Sequence, residues 1–281
     1  MVRKRHANHV RNISNTRGLT AGEVIVVAIL LFIMMAIMLP ALARMRASTR
    51  LSNCRFNLQQ LHLALENYAA THERFPSGVV NSTGPVLSVA DGYHHNWIEG
   101  ILPNLNASGL WQQIDRDVSI YHSNNDLPRE ARIVKFICPS ASMISDVTSC
   151  YAAIHSSVET PIDQYNDGVF FLNSTIHRDD IVDGLNHTLF LGEKLADLPP
   201  DLGWLSGTRC TLRNTGHRLN QKPPEDDPAI SPRYVGGLLS DHVAGLNTLF
   251  GSGETRFIDE AIDPVILREL ASRNDSSREA N

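Results

Sequence analysis

Residues 17–43 read RGLTAGEVIVVAILLFIMMAIMLPALA. Glu23 is the last charge before about twenty apolar positions, and Val24 through Ala43 carry no ionisable side chain. A helix of that length, at about 1.5 Å per residue, crosses the roughly 30 Å hydrocarbon core of a bilayer. A carboxylate at the mouth of such a span costs a few kcal/mol if it enters hydrocarbon unpaired. Glu23 therefore calls for a partner. If the chain is cut after Gly18, Leu19 gains a free ammonium four residues from Glu23. On a neighbouring subunit, that ammonium would neutralise the carboxylate.

Upstream, Arg3, Lys4, Arg5, Arg11 and Arg17 stand in a leader without acids. The basic leader reads as cytoplasmic and the bulk of the chain as exported. Arg44, Arg46, Arg50 and Arg55 follow the span and reduce the charge asymmetry. An ordinary secretory signal is cut after its apolar stretch. Here the glycine lies before it, and Pro40 with the arginine-rich turn makes a poor late cleavage site. The plain alternative is a signal-anchor helix with an incidental Gly18 and Glu23.

This stretch resembles the type III signal of type IV prepilins and type II secretion pseudopilins. Leu19 stands at mature position one, Thr20 at two and Glu23 at the acidic fifth position, while Gly22 and Ala21 depart from the bulkier residues usual there. The resemblance implies that a prepilin peptidase cleaves after Gly18 and methylates Leu19, and that Glu23 serves assembly. Loss of residues 1–18, with five basic residues and no acid, takes the formal charge from −5 to −10. Such a chain carries no basic stripe for nucleic acid.

The helix should continue past the span. Leu51, Cys54, Leu58, Leu61, Leu65 and Tyr68 recur at alternating spacings of three and four, one apolar stripe on a polar helix. It should run to about His72, where Arg74-Phe75-Pro76-Ser77-Gly78 breaks it. Packing of the stripe on the chain's own sheet is favoured over a coiled-coil dimer, since it covers only about three heptads. The expected organisation is a leader at 1–18, a transmembrane helix at 19–43 and an amphipathic helix at 44–73. An α+β domain at 74–275 and a tail at 276–281 complete it.

Within the domain, Trp97 to Leu105 and Gly109 to Ile114 suit short helices. Ile133–Ile137, Tyr151–Ile154, Gly168–Leu172 and Thr188–Leu191 suit strands, and Asp183-Gly184 a turn. Leu246–Phe250 and Glu254–Ile258 flank Gly251-Ser252-Gly253, a hairpin signal. Asp263–Arg273 reads as a closing helix and the proline-rich 220–232 stretch as an exposed loop. The fold expected is α+β, one long N-terminal helix on a mainly antiparallel sheet.

Four cysteines are present and none has C-x-x-C spacing, which speaks against a zinc ribbon. In an oxidising space, Cys138 with Cys150 closes the shortest loop; four free buried thiols are the alternative. His94-His95 are adjacent and diverge in either regular backbone, so they make a poor ligand pair. His177, Asp179, Asp180 and Asp183 read as a solvated turn. No nucleophile elbow, phosphate loop or dinucleotide fingerprint occurs. No catalytic residue, metal or cofactor is expected.

Several landmarks resemble a planctomycete pilin-like family carrying the DUF1559 domain. They are Asn53-Cys54-Arg55-Phe56-Asn57-Leu58, Arg74-Phe75-Pro76-Ser77-Gly78, Cys138-Pro139-Ser140, Asp167-Gly168-Val169-Phe170-Phe171, Asp183-Gly184 and Gly192-Glu193. The family's C-terminal motif is His, nine residues, then Asp-Gly. His242 begins it here, with Ser252 in place of Asp and Gly253 retained. Gly253 suits a positive-φ turn, Ser252 caps such a turn weakly, and His242 reads as structural, bonded toward the turn or the sheet end. The resemblance implies a non-enzymatic pilin-like or pseudopilin-like subunit, anchored in the inner membrane with its C-terminal domain exported. Its partners would be prepilin peptidase and other pilin-like subunits. The rival from another class is a single-span binding or sensing module that never polymerises.

Overall fold

The computed structural model describes residues 20–142, 145, 147–196, 199–223 and 231–275. Gly18, Leu19, the rest of the leader, the 276–281 tail and most of the proline-rich loop lie outside the described residues. The chain forms two compact units, one up to Arg46 and one from Ala47 onward.

Helix α1 (Ala21–His72) is continuous, with Pro40 inside it. In the first unit its residues are exposed and almost wholly apolar, and the helix is long and apolar enough to cross a membrane. Its start is a capping box. The Thr20 amide and hydroxyl both donate to Glu23 Oε2, at 2.8 and 2.9 Å, and the Glu23 amide donates back to Thr20 Oγ1 at 3.4 Å.

In the second unit the expected stripe becomes the buried face. Cys54, Leu58, Leu61 and Leu65 are buried, joined by Ala64 and Ala69, while Leu51 and Tyr68 are half-buried. The alanines widen the seam because a small side chain lets the helix approach the sheet closely. Each buried leucine contributes about 1.5–3 kcal/mol. The helix ends at His72, followed by Glu73 in the left-handed region at φ 61°.

The remaining elements are β1 (Val79–Val80), β2 (His95–Asn96), α2 (Trp97–Ile101), α3 (Ser108–Gln113), α4 (Asp126–Arg129), β3 (Tyr151–Ser156), β4 (Leu189–Glu193), β5 (Leu212–Asn214), β6 (Gly245–Phe250), β7 (Thr255–Asp259) and α5 (Pro264–Ala271). The five-stranded sheet runs β5-β3-β4-β6-β7, with β3–β5 parallel and the other pairs antiparallel. The architecture is α+β, as expected. One core joins the α1 stripe to Tyr151, Ala153, Phe190, Leu191 and Leu249. A second joins Leu189, Leu246, Phe250 and Ile258 to Leu267 of α5. Alternation puts Tyr151 and Ala153 on the first face and Ile154 on the second, while a register shift at Leu189–Leu191 leaves both Phe190 and Leu191 in the first core. Asp263 caps α5 through its side chain, with Pro264 in the first turn.

Two expected strands take other forms. Residues 134–136 wind into a 3-10 turn that buries Phe136 and leaves Val134 exposed. The 168–172 stretch lies along the end of β3 through single bonds, Gly168 N to His155 O and Phe170 N to Ile154 O, without a regular ladder. Gly168 has no room for a side chain there, since a Cβ would meet the His155 backbone at 2.6 Å.

Candidate functional site

Four side chains from four separated stretches meet at one end of the central strands. Cys54 comes from the buried face of α1, Cys138 from the loop after the 3-10 turn, Glu193 from the last position of β4 and His242 from the approach to β6. Cys54 and Cys138 form a disulfide with Cα atoms 5.5 Å apart. His242 Nε2 lies 3.3 Å from Glu193 Oε1 and 3.5 Å from Cys138 Sγ. Cys138 Sγ is 3.8 Å from Glu193 Oε1. One ligating atom from each of the four falls within 4.8 Å of the others.

The carboxylate is buried, so its oxygens need donors. Glu193 Oε2 accepts from Ser240 Oγ and from the Asn247 amide, both at 2.9 Å, and Oε1 accepts from Asn247 Nδ2 at 3.0 Å. The β4–β6 pairing makes this possible, because it sets Asn247 beside the end of β4. Asn247 is fixed in turn by Arg55 Nε, 3.1 Å from its Oδ1. Tyr151 donates to the Cys54 carbonyl at 3.4 Å and receives Asn57 Nδ2 at 3.2 Å. Burial holds the Tyr151 phenol well above its ordinary value, so it stays a neutral donor.

The disulfide corrects the expected Cys138–Cys150 pairing. Loop length favours a short closure over one of 84 residues by only about 2 kcal/mol, while bridge geometry is strict. The α1 stripe delivers Cys54 at bonding separation. Cys150 is a buried free thiol at the head of β3, with its amide bonded to Phe136 O. Burial pushes the Cys150 thiol up, away from the thiolate.

The C-terminal motif divides into two places. His242 joins the cluster before β6, whereas Ser252 and Gly253 sit in the β6–β7 turn beyond it. They are separated by the length of a six-residue strand, about 20 Å. His242 therefore bonds at the sheet end and not toward the turn. Gly253 has φ 89°, so the backbone favours glycine, and a Cβ on it would have to displace the His62 ring of α1, whose Nε2 would lie 2.5 Å away. Ser252 donates its amide to Leu185 O.

His94 and His95 turn to different partners. His94 Nδ1 meets Tyr121 Oη at 3.0 Å, while His95 Nδ1 meets Glu99 Oε2 at 2.5 Å, each with its own partner. Burial holds His94 down at about 4. Asp180 accepts the His177 amide as part of a helix cap, and Asp183 accepts the Asp275 amide. The Asp180 carboxylate caps a 3-10 turn, and the Asp183 carboxylate holds the distant chain at Asp275. Glu23 belongs to the α1 capping box, and the processing positions Gly18 and Leu19 lie outside the described residues.

Glu193 and Asn247 drew no role from the sequence. The available signal was a lone acid closing the apolar run Leu189-Phe190-Leu191-Gly192, which is unusual for a strand end packed on a core.

The fold and site thus define a class: an α+β domain built on the second half of a long helix, with a disulfide, imidazole and carboxylate cluster where helix and sheet meet. Residues 43–265 match the profile of the protein family of unknown function DUF1559, and the chain belongs to that family. No curated protein and no solved structure matches the chain.

Proposed function

We propose that the chain is a non-enzymatic, pilin-like membrane subunit. Prepilin peptidase removes residues 1–18 after Gly18 and methylates Leu19. The first half of α1 then holds the subunit in the inner membrane, N-terminus inward, or in the core of a pilus-like or type II secretion-like filament. The C-terminal domain is exported. The observation that carries this reading is α1 itself. It is one unbroken helix from Ala21 to His72, exposed and apolar in its first half and packed into an α+β domain in its second. An apolar surface of that extent needs lipid or other helices around it.

A single-span binding or sensing module that does not polymerise is the second reading. It is favoured by the capping box, in which Thr20 of the same chain already supplies donors to Glu23. Mass spectrometry of the purified N-terminus tests the proposal. The expected species begins at methylated Leu19. An intact Met1 in cells with active prepilin peptidase overturns the processing step. Absence of the protein from sheared surface fractions, with processing intact, favours the module.

A further inference from the structure

We propose that Cys54, Cys138, Glu193 and His242 form a redox-gated site for a zinc-class divalent cation, closed as a disulfide when oxidised and metal-binding when reduced. Three observations carry the assignment. First, the donor set is two sulfurs, one imidazole nitrogen and one carboxylate oxygen, the mixture a borderline-soft tetrahedral ion selects. Second, the spacing fits. With metal–sulfur bonds of about 2.3 Å and metal–nitrogen or –oxygen bonds of about 2.0–2.1 Å, the edges of a tetrahedron run about 3.3–3.8 Å. The observed edges are 3.3 Å for nitrogen to oxygen, 3.5 Å for sulfur to nitrogen and 3.8 Å for sulfur to oxygen. The two sulfurs must part, from bonding contact to about 3.8 Å, and Cys54 Sγ lies within 4.8 Å of the other donors. Third, the carboxylate is already oriented by Ser240 and Asn247, the outer ring of hydrogen bonds that metal-binding carboxylates use.

The chemistry balances. A dithiol reductant gives two electrons and two protons to the Cys54–Cys138 bond and itself closes to a disulfide. The cation then displaces both thiol protons and binds two thiolates, the Glu193 carboxylate and neutral His242. Either form ties the same four stretches together, so the fold tolerates the exchange. The neighbouring Arg55, bonded to Asn247, offsets the net negative charge of the loaded site. Local sequence could not reveal the cluster, because Cys54 and Cys138 are 84 residues apart and Cys138 and His242 are 104 apart.

The full-length chain, purified in detergent, is reduced with a phosphine under argon and titrated with Co2+, then with Zn2+. The expected result is one Co2+ per chain, with sulfur-to-cobalt charge-transfer absorption and tetrahedral visible bands that Zn2+ abolishes. The air-oxidised chain should bind none. His242→Gln and Glu193→Gln should each weaken binding at least about tenfold, and Ser240→Ala about tenfold through the carboxylate it orients. Circular dichroism checks that each variant is folded. The proposal is overturned if the reduced chain takes up no Co2+ or loses its fold, or if the oxidised chain binds equally. Folded His242→Gln and Glu193→Gln chains that bind like wild type also overturn it. Should both variants unfold, the reduced and oxidised wild-type chains decide the matter.

Discussion

The two halves of α1 obey different rules although the backbone between them is unbroken. From Val24 to Met45 nearly every residue is apolar and all are exposed, Phe32 by 71 %. From Cys54 to Ala69 polar and apolar residues are interleaved, and Leu58, Leu61 and Leu65 are fully buried. An apolar helix exposed on all sides is stable only where the surroundings are apolar too, so its stability comes from outside the chain. The amphipathic half carries its surroundings with it, as the sheet. Substitutions should therefore be read by different instruments in the two halves.

The largest contrast is expected for truncations to alanine. Leu61→Ala removes a fully buried side chain between helix and sheet and should destabilise the domain by about 2–5 kcal/mol in urea unfolding. Ile29→Ala, in the exposed half, should leave that transition within about 0.5 kcal/mol of wild type. Equal effects would break the comparison.

Acid should separate the halves next. His155 is fully buried and held down at about 4 by desolvation, and His94 is held at about 4 for the same reason. Unfolded, both titrate near 6.5, so between these values the unfolded chain binds more protons and stability rises with pH. The contribution is full above about 6.5 and is lost as pH falls toward 4, by on the order of a few kcal/mol for the pair. Urea midpoints measured from pH 7.5 to 4 should fall accordingly, and His155→Gln should flatten part of the slope. Val24 to Ala43 hold no titratable group, so membrane retention should not follow that curve.

A charge in the exposed half has the reverse signature. Leu30→Arg should cost about 2.5–3.5 kcal/mol of membrane insertion while the domain's urea midpoint stays unchanged. Cell fractionation reads the first quantity and unfolding the second. A variant that stays in the membrane fraction but unfolds more easily would place Leu30 against protein.

These halves also differed in how plainly the sequence showed them. The apolar run and the Leu51–Tyr68 stripe are local periodicities, and the helix boundaries and the β6–β7 hairpin followed from them. The 134–136 turn defeated the same reasoning, because a five-residue stretch with four apolar positions says nothing about whether a neighbouring strand exists to pair with it. The cluster around Glu193 was hidden for a related cause. Loop-closure arithmetic pointed Cys138 toward Cys150, but which thiol it meets depends on how α1 lies on the sheet, a long-range fact. His242 and Ser252 read as one motif through the family resemblance, and β6 holds them apart.

The smallest effect bears on the mouth of the span, where the two proposed roles of Glu23 diverge. In the capping box Glu23 accepts from Thr20, and a glutamine at that position would serve the box equally well. Thr20→Ala should weaken the helix start by only about 1 kcal/mol. Pairing with a neighbour's Leu19 ammonium requires the charge itself. Glu23→Gln therefore keeps the cap and removes the ion pair, and membrane insertion should be unaltered. If Glu23 works in assembly, that single amide should abolish recovery of the protein in sheared surface fractions, while Thr20→Ala leaves it largely intact. If Glu23 only closes the first turn, the order reverses: Thr20→Ala perturbs the helix start and Glu23→Gln is silent. The exposed half would then need lipid alone, without a second copy of the chain, and the anchored module would be the better account of α1.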